Sequence, residues 1–313
     1  MARTAGPIRS ARPGRCTWVD TAQDTPTRPA WLDAELLPYA SHFLELDGHR
    51  VHYLDEGVGP TLLMFHGNPT WSFLYRHLIG GLRDRFRCIA VDYPGFGLSR
   101  AAPGYDLRPP SHAAVMAAVV ERLDLRRYTA VVQDWGGPIG LWVAGRAPER
   151  VHGLVVLNTW AWPVDHDPHF VRFSGAMGGA LGGLAIRHLN AFVNLMLPLG
   201  TPRRRLGRAA MRAYRRPLDT PARREASHIF PRSIVADTPF LAEVEALLPR
   251  LASKPALVVW GDADIAFREQ ERQRFLTALP RHTAVVVPGA GHYMQEDAPD
   301  EIIDAIRGWW RDE

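Results

Sequence analysis

The sequence almost lacks lysine. Of 37 basic residues only Lys254 is not an arginine, and the formal net charge is +4. The arginines are scattered rather than striped, so the bias reads as a GC-rich coding sequence and no nucleic-acid partner is expected. Two local clusters, "TPRRRLGRAAMRAYRR" and "PARREA", stand out. The first has helical spacing and alternates with apolar residues, which suits a solvated helix face. Cysteine is nearly missing as well. Cys16 falls in a probable tail segment and Cys88 in an apolar run, so reduced thiols and a cytoplasmic location are the default. The basic N-terminus has no apolar core like that of a signal peptide. No unbroken apolar run reaches membrane-spanning length. The nearest, "SGAMGGALGGLAIRHLNAFVNLMLPLG", is interrupted by Arg187, His188, Asn190 and Asn194. It is expected to form a buried amphipathic helix pair, and no membrane partner is expected. No Cys/His cluster offers a metal site. The glycines of "GGALGGLAI" follow no strand, so no nucleotide cofactor is expected.

What is present suits one large domain, or one with a sizeable insertion, in 313 residues. Residues 1–30 read as a flexible tail rich in Arg, Pro and Thr. "HFLELDG" and "HRVHYLDEG" alternate around Asp47-Gly48, a hairpin signal. Then come near-continuous apolar runs: "TLLMFHG", "FRCIAVDYPG", "YTAVVQDWGG", "VHGLVVLNTW", "PALVVWGDAD" and "TAVVVPGAGH". Runs of this kind suit strands of a mostly parallel sheet buried on both faces. Helix-like segments separate them, which argues an α/β fold with helices flanking the sheet. The alternation stops between Trp160 and Pro255. That interval is too long for a loop, so an inserted helical cap is expected over 161–249, with the core in 31–160 and 250–313. Its aromatics, with Trp160, Trp162, Phe170, Phe173 and Phe192, suggest an apolar pocket for a small substrate.

One further absence organises the rest. "AVVQDWGGPIG" has the form of a sharp strand-to-helix turn that would carry a nucleophilic serine, yet Asp134 stands there instead. In an open parallel sheet functional groups gather beyond the carboxyl ends of the strands. Here those ends carry His66 and Asn68, Asp92, Asp134 and Trp135, Asn158, Asp262 and Asp264, and His292. Asp134, Asp264 and His292 fall in the order nucleophile, acid, histidine of the α/β-hydrolases. Asp262 competes with Asp264 for the acid's place, but the W-G-x-x-D spacing favours Asp264. Asp92 in "DYPGFGLS" reads as a turn-organising carboxylate, and His66 as a brace for the glycine turn after it.

At "HGNPTW", "VVQDWGGPIG", "MRAYRRPL", "WGDADIAF" and "GHYMQEDAPDEI" the chain resembles the haloalkane dehalogenases over about residues 35 to 310. The resemblance implies an α/β-hydrolase fold with Asp134 as nucleophile, His292 as base and Asp264 as acid. It also implies that Asn68 and Trp135 hold the halide and that haloalkane, halide and water are the small-molecule partners, without cofactor. One large subfamily takes its acid as a glutamate after the sixth strand. Asn158 stands at that position, so the chain looks like the branch with its acid after the seventh. A homo-oligomer remains open. The main rival is an epoxide hydrolase, which would need a cap tyrosine as proton donor; Tyr214 is the cap's only tyrosine. Trp135 argues against a fluoroacetate dehalogenase, which typically has arginine there. A non-catalytic relative and a luciferase-like oxygenase are the remaining readings.

Overall fold

The computed structural model describes residues 28–310, so Cys16 and nearly all of the expected tail lie outside the described residues. β1 (His42–Leu46) and β2 (His49–Glu56) are antiparallel. They turn on Asp47 and Gly48, both at positive φ (48° and 80°), as a two-residue hairpin with the right twist requires. Then β3 (Thr61–Phe65), α1 (Arg76–Leu82), β4 (Arg87–Val91), α2 (Pro109–Arg122), β5 (Tyr128–Asp134), α3 (Gly136–Arg146) and β6 (Val151–Thr159) alternate. Six helices follow before the next strand: α4 (Pro168–Gly178), α5 (Ala180–Leu189), α6 (Leu197–Leu199), α7 (Arg208–Arg215), α8 (Glu225–Ala236) and α9 (Thr238–Leu247). The alternation resumes with β7 (Ala256–Gly261), α10 (Glu269–Ala278), β8 (His282–Val287), α11 (Met294–Asp297) and α12 (Pro299–Trp309).

The eight strands form one sheet in the order β1-β2-β4-β3-β5-β6-β7-β8. From β4 onward every pairing is parallel; only β1 and β2 run against their neighbours. The apolar runs follow from this arrangement. In β5, Ala130 and Val132 join the core beneath α2 and α3, while Val131 between them joins the core beneath α1 and α12. Leu154 and Val156 against Val155 and Leu157 divide the same way in β6. A strand with a helix layer on each side needs apolar residues at successive positions.

Two expectations fail. "TAVVVP" was expected to be buried on both faces, but β8 is the sheet's last strand and most of it is partly or fully exposed. It has a neighbour on one side only. The helix pair of "SGAMGGALGGLAIRHLNAFVNLMLPLG" is buried only in part: Phe192, Val193 and Leu197 of its second half are covered, its first half much less. In α5 only Gly183 and Ile186 are buried, and Leu181, Leu184 and Leu189 are exposed. Apolar residues surround α5, whereas the molecule covers only one stripe of it.

Candidate active site

β5 ends on Asp134, whose φ of 50° lies in the left-handed region. A non-glycine residue pays for that conformation in backbone strain. The reward is a sharp turn that lifts the carboxylate above the strand ends before α3 begins. Two glycines make room for it. A Cβ on Gly136 would come within 2.0 Å of the Phe65 carbonyl oxygen, and one on Gly67 within 2.2 Å of Asp134 Oδ1. Thr159 Oγ1 donates to the Asp134 carbonyl at 2.5 Å, and the Asn68 N–H donates to Asp134 Oδ1 at 2.7 Å.

His292 follows β8. Its Nδ1 is 3.0 Å from Asp264 Oδ2, and its Nε2 is 3.6 Å from Asp134 Oδ2. Asp264 is buried and fixed from two more sides. Oδ1 accepts the Ala266 N–H at 2.7 Å, and Oδ2 accepts Asn158 Nδ2 at 2.8 Å. Asp262 is exposed and accepts the Gly289 N–H at 2.6 Å instead of meeting the histidine. Burial works against a charged His292, but the Asp264 carboxylate, the hydrogen bonds to Asp134 and Asp264, and the Asp134 charge together outweigh it. The imidazole is pushed up to about 10. The two flanking carboxylates thus favour the protonated ring.

Asn68 and Trp135 reach the same apolar cavity of about 110 Å³ that Asp134 and His292 open into. Asn68 Nδ2 donates one hydrogen to the Ser227 carbonyl of α8 at 3.2 Å, which leaves its second N–H uncommitted. The Trp135 indole meets Trp160 edge-on with centroids 4.6 Å apart, and Phe230 at 5.4 Å. Trp160, Phe170, Phe173 and Phe192 line the cavity; Trp162 does not. It packs on Phe275 with the Arg274 guanidinium over its ring.

The other strand-end groups have structural partners. His66 is fully buried, accepts the Tyr93 N–H at 3.2 Å through Nε2 and bonds the Gly67 carbonyl at 2.9 Å through Nδ1. Burial above all lowers its pKa. Asp92 accepts the N–H groups of Ser72 at 2.7 Å and Leu98 at 2.8 Å and meets His52 at 2.8 Å. Tyr214 is fully buried away from the cavity, and its hydroxyl donates to Glu296, which also takes Arg76 Nη2 at 2.7 Å.

Three residues of the site were not singled out as members of it from the sequence. Asn158 was noted as a position that cannot be charged. It closes a clamp, donating to Asp264 and to the Gly261 carbonyl while accepting the Gly261 N–H at 2.8 Å. Gln133 donates to the His292 carbonyl at 3.1 Å. Tyr293, next to His292, donates to the Asn68 carbonyl at 3.1 Å and lines the cavity. A polar residue inside an otherwise apolar strand was the available signal for Gln133 and Asn158.

The family of the alpha/beta hydrolase fold matches residues 60–299. A Mycobacterium tuberculosis protein named Haloalkane dehalogenase 2 is 43% identical over 276 residues, covering 88% of this chain and 96% of that protein. A cis-3-alkyl-4-alkyloxetan-2-one decarboxylase of Shewanella oneidensis is 34% identical over 281 residues, covering 87% and 88%. Among solved structures, haloalkane dehalogenase DbeA of Bradyrhizobium elkani superposes with a TM-score of 0.77 at 28% identity, covering 86% of this chain and 97% of that one.

Proposed function

The chain belongs to the α/β hydrolase fold family and, within it, to the haloalkane dehalogenases, and from that membership we propose that Asp134 is the nucleophile, His292 the base and Asp264 the acid. Asn68 and Trp135 hold the departing halide. The reaction is hydrolysis of an apolar haloalkane to an alcohol and a halide ion. Residues 161–249 act as a cap over the core of 31–160 and 250–313. With Cys88 buried and free among the described residues, a reducing cytoplasm is the compartment we assign.

The substrate's reacting carbon is saturated, so it must be displaced from the side opposite the halogen. A carboxylate is already ionised at neutral pH and needs no base to activate it. Asp134 attacks through one oxygen, the carbon–halogen bond breaks with its electron pair leaving on the halide, and an alkyl ester forms. A halide leaves without a proton. It needs only N–H donors aimed at the growing charge, which the Trp135 indole and the free hydrogen of Asn68 Nδ2 supply. Ester formation also removes the Asp134 charge, one of the two that hold the proton on His292. The imidazole can then release that proton to solvent, where it balances the departing halide, and accept a proton from the attacking water. The hydroxide attacks Cγ of Asp134, with the Asn68 N–H at Oδ1 stabilising the oxyanion. The ester C–O bond then breaks, the alcohol leaves with the proton from His292, and the carboxylate is restored. Neither step changes an oxidation state, so the scheme needs no redox cofactor.

The observation that carries this reading is a nucleophilic carboxylate, two neutral N–H donors and a histidine opening together into one apolar cavity. The epoxide reading loses its cap tyrosine as proton donor, because the Tyr214 hydroxyl is buried on Glu296. A second reading has support from the decarboxylase relative. Opening an oxetan-2-one at its saturated ring carbon also expels an anion, a carboxylate, that needs no proton. Purified protein should release bromide from 1-bromobutane or 1,2-dibromoethane. No bromide with styrene oxide opened would favour the epoxide reading, and alkene with carbon dioxide from a cis-3,4-dialkyl oxetan-2-one would favour decarboxylation.

A further inference from the structure

We infer that the outer face of the cap, from α4 through α7, docks on a lipid bilayer surface rich in anionic headgroups. This departs from the expectation of no membrane partner. It begins with where the exposed apolar residues lie. Leu181 is 84% and Leu189 70% exposed, and Leu184, Leu195 and Leu199 are each more than half exposed. With Val171 they make six of the nine large apolar residues exposed among the described residues, all within 171–199. Single exposed leucines are ordinary, but a run of them on one segment marks an interaction surface.

The charge of the same segment is one-sided. From Pro168 to Leu218 there is no Asp or Glu, while nine arginines occur. Arg187, Arg203 and Arg204 are paired with Glu225, Glu301 and Asp300 of other elements. Arg205, Arg208, Arg212 and Arg216 are exposed, and their side chains have no partner among the described residues. The apolar and basic parts adjoin. Arg215 Nε donates to Asn194 Oδ1 at 2.7 Å, beside Leu195, and Asn194 Nδ2 donates to the Leu189 carbonyl at 2.7 Å. Arg205, Arg208 and Arg215 share one surface groove with Pro198 and Thr201.

Leucines rimmed by unpaired arginines match a bilayer interface, with acyl chains for the first and lipid phosphates for the second. A second copy of the chain is a poorer match, because it would bring the same arginines against this face with no carboxylate to meet them. Nucleic acid would leave the leucines uncovered. The segment lies on the bilayer rather than crossing it. α5 has 10 residues, about 15 Å at about 1.5 Å per residue, against about 30 Å of hydrocarbon. The apolar pair Ala180–Leu189 and Phe192–Leu199 is bent by 82°, and no single described helix is long and apolar enough to cross.

The docking face is also the back of the pocket wall. Phe173, Phe192 and Met196 line the cavity while Leu195 and Leu199, interleaved with them, face outward. An apolar substrate dissolved in the bilayer would thus reach the cavity without crossing bulk water. This route rests on the haloalkane reading; the docking does not.

The test is co-sedimentation of the full chain with vesicles of phosphatidylcholine alone and with about one third phosphatidylglycerol. Binding at least tenfold stronger to the anionic vesicles, and lost in high salt, is expected. Leu184→Asp with Leu189→Asp should weaken it at least tenfold, as should Arg205→Gln with Arg208→Gln and Arg212→Gln. Both variants should keep bromide release from 1-bromobutane in solution, which also reports that they fold; should the leucine pair misfold, the arginine set decides. Equal, weak binding to both vesicle types would overturn the proposal. So would a dimer that the leucine substitutions dissociate, since the face would then be an interface between copies. Anionic binding with no bromide release would leave the docking standing and remove the haloalkane reading.

Discussion

The strand ends of the core and the cap above them treat polar atoms in opposite ways. At the strand ends the groups proposed to react are held from several sides. Asp264 is fixed by Asn158, Ala266 and His292, and Asp134 Oδ1 by the Asn68 N–H. The cap offers the cavity mainly apolar walls, among them Phe170, Phe173 and Phe192. Its buried polar anchor, Tyr214 on Glu296 and Arg76, ties it to the core away from the cavity. The proposed mechanism therefore puts chemistry where geometry is over-determined, and substrate shape where it is loosely set. Substitutions in the first region should change rates by orders of magnitude, and those in the second chiefly stability or preference.

His292→Ala breaks that contrast most severely. Steady-state halide release should fall on the order of 10⁴-fold or more, while the first displacement survives. Intact-protein mass spectrometry should show one alkyl adduct, lost when Asp134→Ala is added. Turnover at wild-type rate would sink the two-step scheme. Next comes Trp135→Phe, which keeps the ring and deletes one donor. Loss of roughly 10²–10³ in the displacement rate is expected, read as a bromide burst by stopped flow. A change under threefold would remove Trp135 from halide binding.

The histidine also predicts a pH dependence of stability. Its folded pKa, about 10, lies above the ordinary 6.5. The folded state therefore holds the proton more tightly than the unfolded chain, and the associated stability is complete below pH 6.5 and is lost as pH rises toward 10. Thermal melts over that window should decline in the wild type and decline less in His292→Gln. Parallel declines would mean that the proton is not held as described. The smallest catalytic effect belongs to the cap anchor. Tyr214→Phe removes a hydroxyl from a buried carboxylate and should cost about 1–3 kcal/mol in urea unfolding, with halide release within a few-fold of wild type. A hundredfold loss of activity at unchanged stability would place Tyr214 in the chemistry after all.

The same contrast explains what could be read from the sequence. Apolar runs ending in Gly67, Asp134 and Gly261 report strands buried on both faces, because the sheet's interior imposes one environment on every position. Only β8 departs, since edge position is set by topology rather than by composition. The candidate site was legible where a residue type is costly at its position, as with an aspartate at the strand-to-helix turn. Asn158 and Gln133 were not, because their roles are bonds to Asp264 and His292, 106 and 159 residues away in sequence. The helical segment between β6 and β7 was legible in length and character but not in orientation. Leu181 and Leu184 carry the pattern of a buried helix, and only the packing of α5 on its neighbours decides which stripe is covered.

The amide of Asn158 has an evolutionary consequence. It donates to the oxygen of Asp264 that also faces His292 Nδ1, so a carboxylate grafted at 158 would confront a second one across a single hydrogen bond. Two such charges cannot both persist there without one taking up a proton. An acid at 158 and an acid at 264 are thus alternatives separated by a valley in sequence space. A single substitution lands in it, and a crossing requires both positions to change together.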